Sequence, residues 1–140
     1  MTAFVSIIAA VLIQAAGGQT AAVKTVEKGL DSAMDEARQV VVRTPAEWAK
    51  VWQMHSYERA RPNVDFTKEM VVGVFMGSRP TAGFGVEITG TRQESGALIV
   101  EYRETKPGAG QVTAQILTSP YHLVSVPRVD GDVKFEPAAK

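Results

Sequence analysis

His55 and His122 are, besides the terminal amine, the groups of this sequence that titrate near neutral pH. Acid–base, nucleophilic or zinc chemistry would have to start from them. A zinc site takes three or four ligands, usually with closely spaced His or Cys pairs. The chain has no cysteine, and neither histidine has a partner at ligand spacing, so no metal and no cofactor is expected. Ser78, Ser95, Ser119 and Ser125 could serve as nucleophiles, but none sits in a Gly-x-Ser-x-Gly turn. Ser119 lies near His122, yet Pro120 stands between them. Glu87 and Glu101 could face each other as a carboxylate pair, but both alternate with apolar residues and read as a solvated face. No catalytic set is expected. A small hydrolase or metal-dependent enzyme resting on the two histidines is the remaining enzymatic reading.

The other chemically suggestive segment is Gly77-Ser-Arg-Pro-Thr-Ala-Gly83-Phe84-Gly-Val86-Glu-Ile88. A phosphate loop would end in Gly-Lys-Ser/Thr and feed a helix, whose N-terminus supplies donors and dipole. Here Arg79 is the basic residue, and Phe84, Val86 and Ile88 alternate into a strand. The stretch Gly77 to Gly83 is longer than the two to five residues common in hairpins, and Pro80 stiffens it. Such loops on a sheet are where recognition tends to reside. Phe84, Val86 and Ile88 read as core, which leaves Ser78 to Ala82 free to contact a partner.

These segments need a frame, and the pattern supplies one. Thr44 can cap a helix that starts at Pro45, with Glu47 placed for a capping box. Trp48, Val51, Trp52 and His55 then share one face at spacings of three and four. This predicts a helix over about Pro45–Tyr57, with His55 at the margin of the core. Val23 to Lys28 alternates weakly, and Gln39 to Arg43 is a β-branched run. Met70 to Met76 is apolar on both faces and should be a central strand. Further strands are expected around Leu98 to Arg103, Val112 to Thr118, Tyr121 to Val126 and Val133 to Phe135. Ser95-Gly96, Pro107-Gly108 (type II) and Asp130-Gly131 (a two-residue hairpin) are the expected turns. Within Tyr121 to Val126, His122 alternates with apolar neighbours and reads as facing solvent or a groove. The predicted fold is mainly β (α+β): an antiparallel sheet of about seven to eight strands, curled into a sandwich or barrel, with one covering helix.

With 140 residues and an apolar fraction of 45%, one globular domain is expected. Fifteen Lys and Arg balance fifteen Asp and Glu, so no net field draws the protein to nucleic acid or anionic lipid. Residues 1–18 carry no charged side chain, and Ala15-Ala16-Gly17-Gly18 offers small residues for a signal peptidase. A cleaved signal peptide at 1–18 and a domain at 19–140 follow. The run is shorter than the ~20 residues of a membrane span, so no stable membrane insertion is expected after cleavage. Without cysteine, neither a lipid anchor on an N-terminal cysteine nor a disulfide framework is available. The expected location is exported, periplasmic or secreted.

Gly77-x-x-Pro80-Thr81-x-Gly83-Phe84-x-Val86-x-Ile88 resembles the signature of the PrcB C-terminal domain family, protease-complex subunits of bacteria. Ala46-Glu47-Trp48 through Trp52 with Val64-Asp65-Phe66 and Val71-Val72 is similar to it as well, as is Thr118-x-Pro120-Tyr121-His122-Leu123-Val124-x-Val126-Pro127. Together they span about residues 40–135. Phe84 stands where the family usually has tyrosine, and Ala82 where glycine is common. The resemblance implies an exported, non-catalytic accessory subunit associated with a protease complex, stabilising it or aiding its maturation, and the Gly77–Phe84 loop is the expected contact with that protein partner. The candidate partner-binding residues are Ser78, Arg79, Pro80, Thr81, Ala82, Gly83, Phe84, Tyr121 and His122. Pro80-Thr81-Ala82-Gly83-Phe84 also resembles the Pro-Thr-Thr-Gly-Tyr loop of chagasin-like inhibitors, which implies direct protease inhibition as the alternative.

Overall fold

The computed structural model describes residues 20–138; the signal peptide expected at 1–18 lies outside them. Seven strands and one helix follow in the order β1 (Lys24–Gly29), β2 (Arg38–Val42), α1 (Pro45–His55), β3 (Glu69–Phe75), β4 (Gly85–Glu94), β5 (Ala97–Thr105), β6 (Tyr121–Pro127) and β7 (Val133–Pro137). They build two open sheets, one ordered β1-β6-β3-β2 and the other β4-β5-β7. All pairings are antiparallel except β5 with β7. The result is the expected mainly β sandwich with a covering helix.

The helix begins where capping chemistry places it. The Thr44 hydroxyl accepts from the Glu47 N–H at 3.2 Å, and Pro45 fills the first turn. The Glu47 carboxylate returns to the N–H of Arg43, one residue before the cap, at 2.8 Å. Ser56 is extended, at φ −147°, and ends the helix at His55, two residues short of Tyr57. Trp48, Val51, Trp52 and His55 are its buried face.

Strand β3 shows why the four-stranded sheet needs apolar residues on both faces. Val71 and Phe75 pack with Trp48, Trp52, Val40, Val42, Tyr121 and Leu123 under the helix. Met70, Val72, Val74 and Met76 pack on the other side with Val86, Ile88, Leu98, Val100, Val124 and Val126 of the second sheet. The described residues thus form three layers: helix, four-stranded sheet, three-stranded sheet.

Three local expectations are corrected. Val112 to Thr118 forms no strand and enters the ladder only through a bridge between Thr118 and Arg79. The pattern was β-like, but Pro107 and two glycines precede it and no neighbouring strand runs alongside. The type II turn is not centred on Pro107-Gly108. It runs from Gly108 to Gln111, closed by Gln111 N–H to Gly108 O at 3.0 Å, with Gly110 at φ +78° supplying the left-handed position. Finally, Asp130-Gly131 makes no hairpin. After β6 the chain crosses to the other sheet, and β7 pairs parallel with β5. The Arg43 guanidinium fixes that crossing by donating to Val129 O at 3.1 Å and Gly131 O at 2.6 Å, and Leu98 N–H bonds Asp132 O at 2.9 Å.

Candidate functional site

One end of the sandwich gathers three loops: residues 30–37, 77–84 and 106–120. Ser119 ties the first to the third, donating its N–H to Leu30 O at 2.7 Å and accepting from Ser32 N–H at 3.1 Å. Arg79 and Thr118 exchange both backbone hydrogen bonds, at 2.7 and 2.9 Å, and Ala82 N–H reaches Ala114 O at 3.0 Å. The Thr118 hydroxyl donates to Thr81 O at 3.0 Å. The Gly77–Phe84 loop is therefore laced to its neighbour at several points.

The root of the loop demands glycine. Gly77 has φ +79°, and a Cβ there would lie 2.7 Å from Ala37 N and 2.8 Å from Asp35 O. Backbone atoms cannot swing aside as a side chain can. Gly77→Ala is expected to lower stability by about 1–2 kcal/mol, read by urea denaturation, with the midpoint moving and the slope unchanged.

The candidate residues divide by exposure. Ser78, Pro80 and Gly83 are exposed, while Arg79, Thr81, Ala82 and Phe84 are half-buried. Arg79 lays its guanidinium 5.6 Å from the centre of the Phe84 ring. The ring face that attracts the cation needs no hydroxyl. Phe84 also packs against the core between the sheets, whose members include Val86 and Ile88. Beside the loop, Val112, Ile116 and Leu117 stand 95%, 57% and 78% exposed. Sequence patterning had placed them in a strand, so their exposure was not visible from it.

Tyr121 and His122 are not on this surface. Both are buried, because both faces of β6 are covered, one by the helix and the other by the second sheet. Alternation carries no inside–outside signal on such a strand. His122 points between the sheets, where its Nδ1 accepts from the Ile88 N–H at 2.8 Å and its Nε2 meets the Thr25 hydroxyl at 2.8 Å. An accepting Nδ1 puts the ring hydrogen on Nε2, which donates to Thr25. Burial first, then nearby Lys28, pushes its pKa down to about 4, against an opposing pull from Glu87.

His55 is also deeper than the expected core margin, with no exposed surface. Its Nε2 lies 2.7 Å from Glu27 Oε1 and its Nδ1 2.8 Å from Ser32 Oγ. The Tyr121 hydroxyl donates to Glu27 Oε1 at 2.7 Å, and Arg59 grips Glu27 with two nitrogens, at 2.9 and 3.1 Å. A Ser32–His55–Glu27 chain has the connectivity of a hydrolytic triad, assembled from positions that no sequence motif links. Its hydroxyl is already engaged, however. Ser32 Oγ accepts from Met34 N–H at 3.1 Å, and Ser32 is buried. Burial raises the Glu27 pKa, but hydrogen bonds from His55, Arg59 and Tyr121 outweigh it and hold the carboxyl below its ordinary value. Burial, then the bond to Glu27, raises that of the Tyr121 phenol.

The other pairs considered from sequence do not assemble. Glu87 lies opposite Arg103 and within 3.7 Å of Lys28, while Glu101 lies opposite Gly90 and pairs with Arg92. Ser119 donates its hydroxyl to Met34 O at 2.9 Å. Among the described residues no group of His, Cys, Asp and Glu could hold a metal ion, and no helix is long and apolar enough to cross a membrane.

Residues 70–127 match the family model described as PrcB C-terminal. The resemblance carried by the Gly77–Ile88 and Thr118–Pro127 motifs therefore holds from β3 through β6. The match includes the whole Gly77–Phe84 loop and its 106–118 neighbour, and begins after the helix. No curated protein and no solved structure matches the chain.

Proposed function

We propose that this protein is an exported, non-catalytic accessory subunit that binds a protein partner, a protease or its complex, through the Ser78–Phe84 loop. The observation that carries this reading is the braced loop itself. It lies within the span matched to the PrcB C-terminal family, it presents Ser78, Pro80 and Gly83 to solvent, and backbone bonds to Thr118 and Ala114 fix its shape. A fixed loop loses little conformational entropy when a partner covers it. The buried histidines fit the same reading, since both nitrogens of each ring are already engaged.

The test uses affinity capture from the exported fraction of an expressing cell, with protease activity assayed on the captured material. Ser78→Asp with Pro80→Asp changes only exposed side chains and leaves the loop's backbone bonds and the Arg79–Phe84 contact in place. This variant is expected to keep its melting temperature and to weaken partner binding by about tenfold or more. Equal capture by the variant and the parent protein would remove the loop from the interface. A partner protease that loses activity on binding would favour the inhibitor alternative over the accessory role.

A further inference from the structure

We propose that residues Gln111–Leu117, which pair with no strand among the described residues, pair as a strand with the same segment of a second copy of this chain, antiparallel about a two-fold axis at Ala114. The segment runs from Gln111 to Leu117 without a turn or bend. The backbone N–H groups of Val112 through Leu117 donate to no acceptor among the described residues, and of its carbonyls only that of Ala114 receives a bond, from Ala82. Three of the large apolar side chains left exposed on the molecule, Val112, Ile116 and Leu117, lie on it. No Asp, Glu, Lys or Arg occurs between Lys106 and Arg128. Exposed edges are normally protected by charge, proline or a covering element; this segment carries no charge or proline, and among the described residues nothing covers it.

The register follows from one bond. Once this segment is extended in such a pair, the N–H and C=O of each residue point to the same side, and sides alternate. Because the Ala114 carbonyl points inward to Ala82, the backbone groups of Thr113 and Gln115 point outward. A two-fold axis at Ala114 sets Thr113 against Gln115 of the second copy as hydrogen-bonded pairs, and Ala114 against Ala114 as a non-hydrogen-bonded pair. The same register sets Val112 against Ile116 on one face, apolar against apolar. The residue at the axis is small, and no charged side chain lies within the segment. The protein's formal charge of zero leaves no net repulsion between copies. The second copy is therefore the occupant the segment itself specifies. The Ser78–Phe84 loop is not used, so this inference stands apart from the partner-binding reading.

Sedimentation velocity of the protein expressed from the full chain, across a concentration series, tests the proposal. A monomer–dimer equilibrium is expected, and Val112→Lys with Ile116→Lys should weaken it by about 100-fold without moving the melting temperature. Ala114→Cys adds a second measurement, because the chain has no cysteine of its own. Cα atoms in a non-hydrogen-bonded pair lie about 4.5 Å apart, within disulfide reach. This variant should form a covalent dimer on mild oxidation much faster than Gln53→Cys on the exposed face of the helix. A monomer at every concentration would overturn the proposal, as would a dimer indifferent to the lysines or Ala114→Cys crosslinking no faster than Gln53→Cys. Capture of another protein on this edge without self-association would overturn it too.

Discussion

Replacing Glu27 with alanine is expected to destabilise the protein by about 3 kcal/mol, measured as the shift in urea midpoint at neutral pH. The size follows from what the carboxylate leaves behind. It accepts from His55 Nε2, from the Tyr121 hydroxyl and twice from Arg59. His55 and Tyr121 are buried, so each loses its partner where water enters poorly, and an unmet buried polar group costs about 1–3 kcal/mol. Arg59 is different, because its side chain is 39% exposed and solvent takes over once the ion pair is gone. Arg59→Ala should therefore cost about 1 kcal/mol or less, even though it removes the formal charge partner. Glu27→Gln is expected to fall between the two, since its one oxygen can still accept from the interior donors. If Arg59→Ala proves as damaging as Glu27→Ala, the ion pair rather than the interior hydrogen bonding dominates, and this account of the network fails.

That network also marks the limit of what the sequence disclosed. The helix was legible because Thr44, Pro45 and Glu47 are adjacent, and capping needs only neighbours. β3 was legible as an interior strand because an apolar run on both faces has no other soluble placement. The Gly77–Phe84 loop was legible as a stiffened loop from Pro80 and its glycines, though not as one braced by bonds to Thr118 and Ala114. Glu27, Ser32, His55, Arg59 and Tyr121, in contrast, come from separate elements and no local signal joins them. The strand holding Glu27 looked only weakly alternating, because it is a sheet edge with a register shift between Thr25 and Glu27. β7 misled for a related reason. Asp130-Gly131 favours a tight turn locally, but long-range bonds from Arg43 and Leu98 carry the chain to the other sheet instead. The two histidines were the natural place to look for chemistry, yet each sits where a covered strand or helix face must satisfy a polar ring.

Acid should expose the second histidine's structural role. His122 has its folded pKa pushed down to about 4, against about 6.5 in an unfolded chain. As pH falls through 6.5 the unfolded chain takes up the proton first, so the unfolded state gains and the folded state loses ground. The stability contributed by neutral His122 is thus complete above about pH 6.5, declines between 6.5 and 4, and is spent below 4. Across the full window this amounts to about 3 kcal/mol, of which about 2 kcal/mol is lost between pH 7 and pH 5. The geometry gives the reason. Nδ1 must accept from the Ile88 N–H, so a proton placed there turns an acceptor into a donor facing a donor, between two packed sheets. Lys28 opposes the added charge, and Glu87, within 3.7 Å of Lys28, only partly offsets it. Carboxylates such as Glu27, held below their ordinary pKa, lose their contribution at lower pH and leave this window to histidine. Urea denaturation at pH 7 and pH 5 should show the 2 kcal/mol fall in the parent protein. His122→Asn, less stable at pH 7, should show most of that fall abolished. An undiminished pH dependence in His122→Asn would assign the acid sensitivity to another group and detach it from the clamp between the sheets.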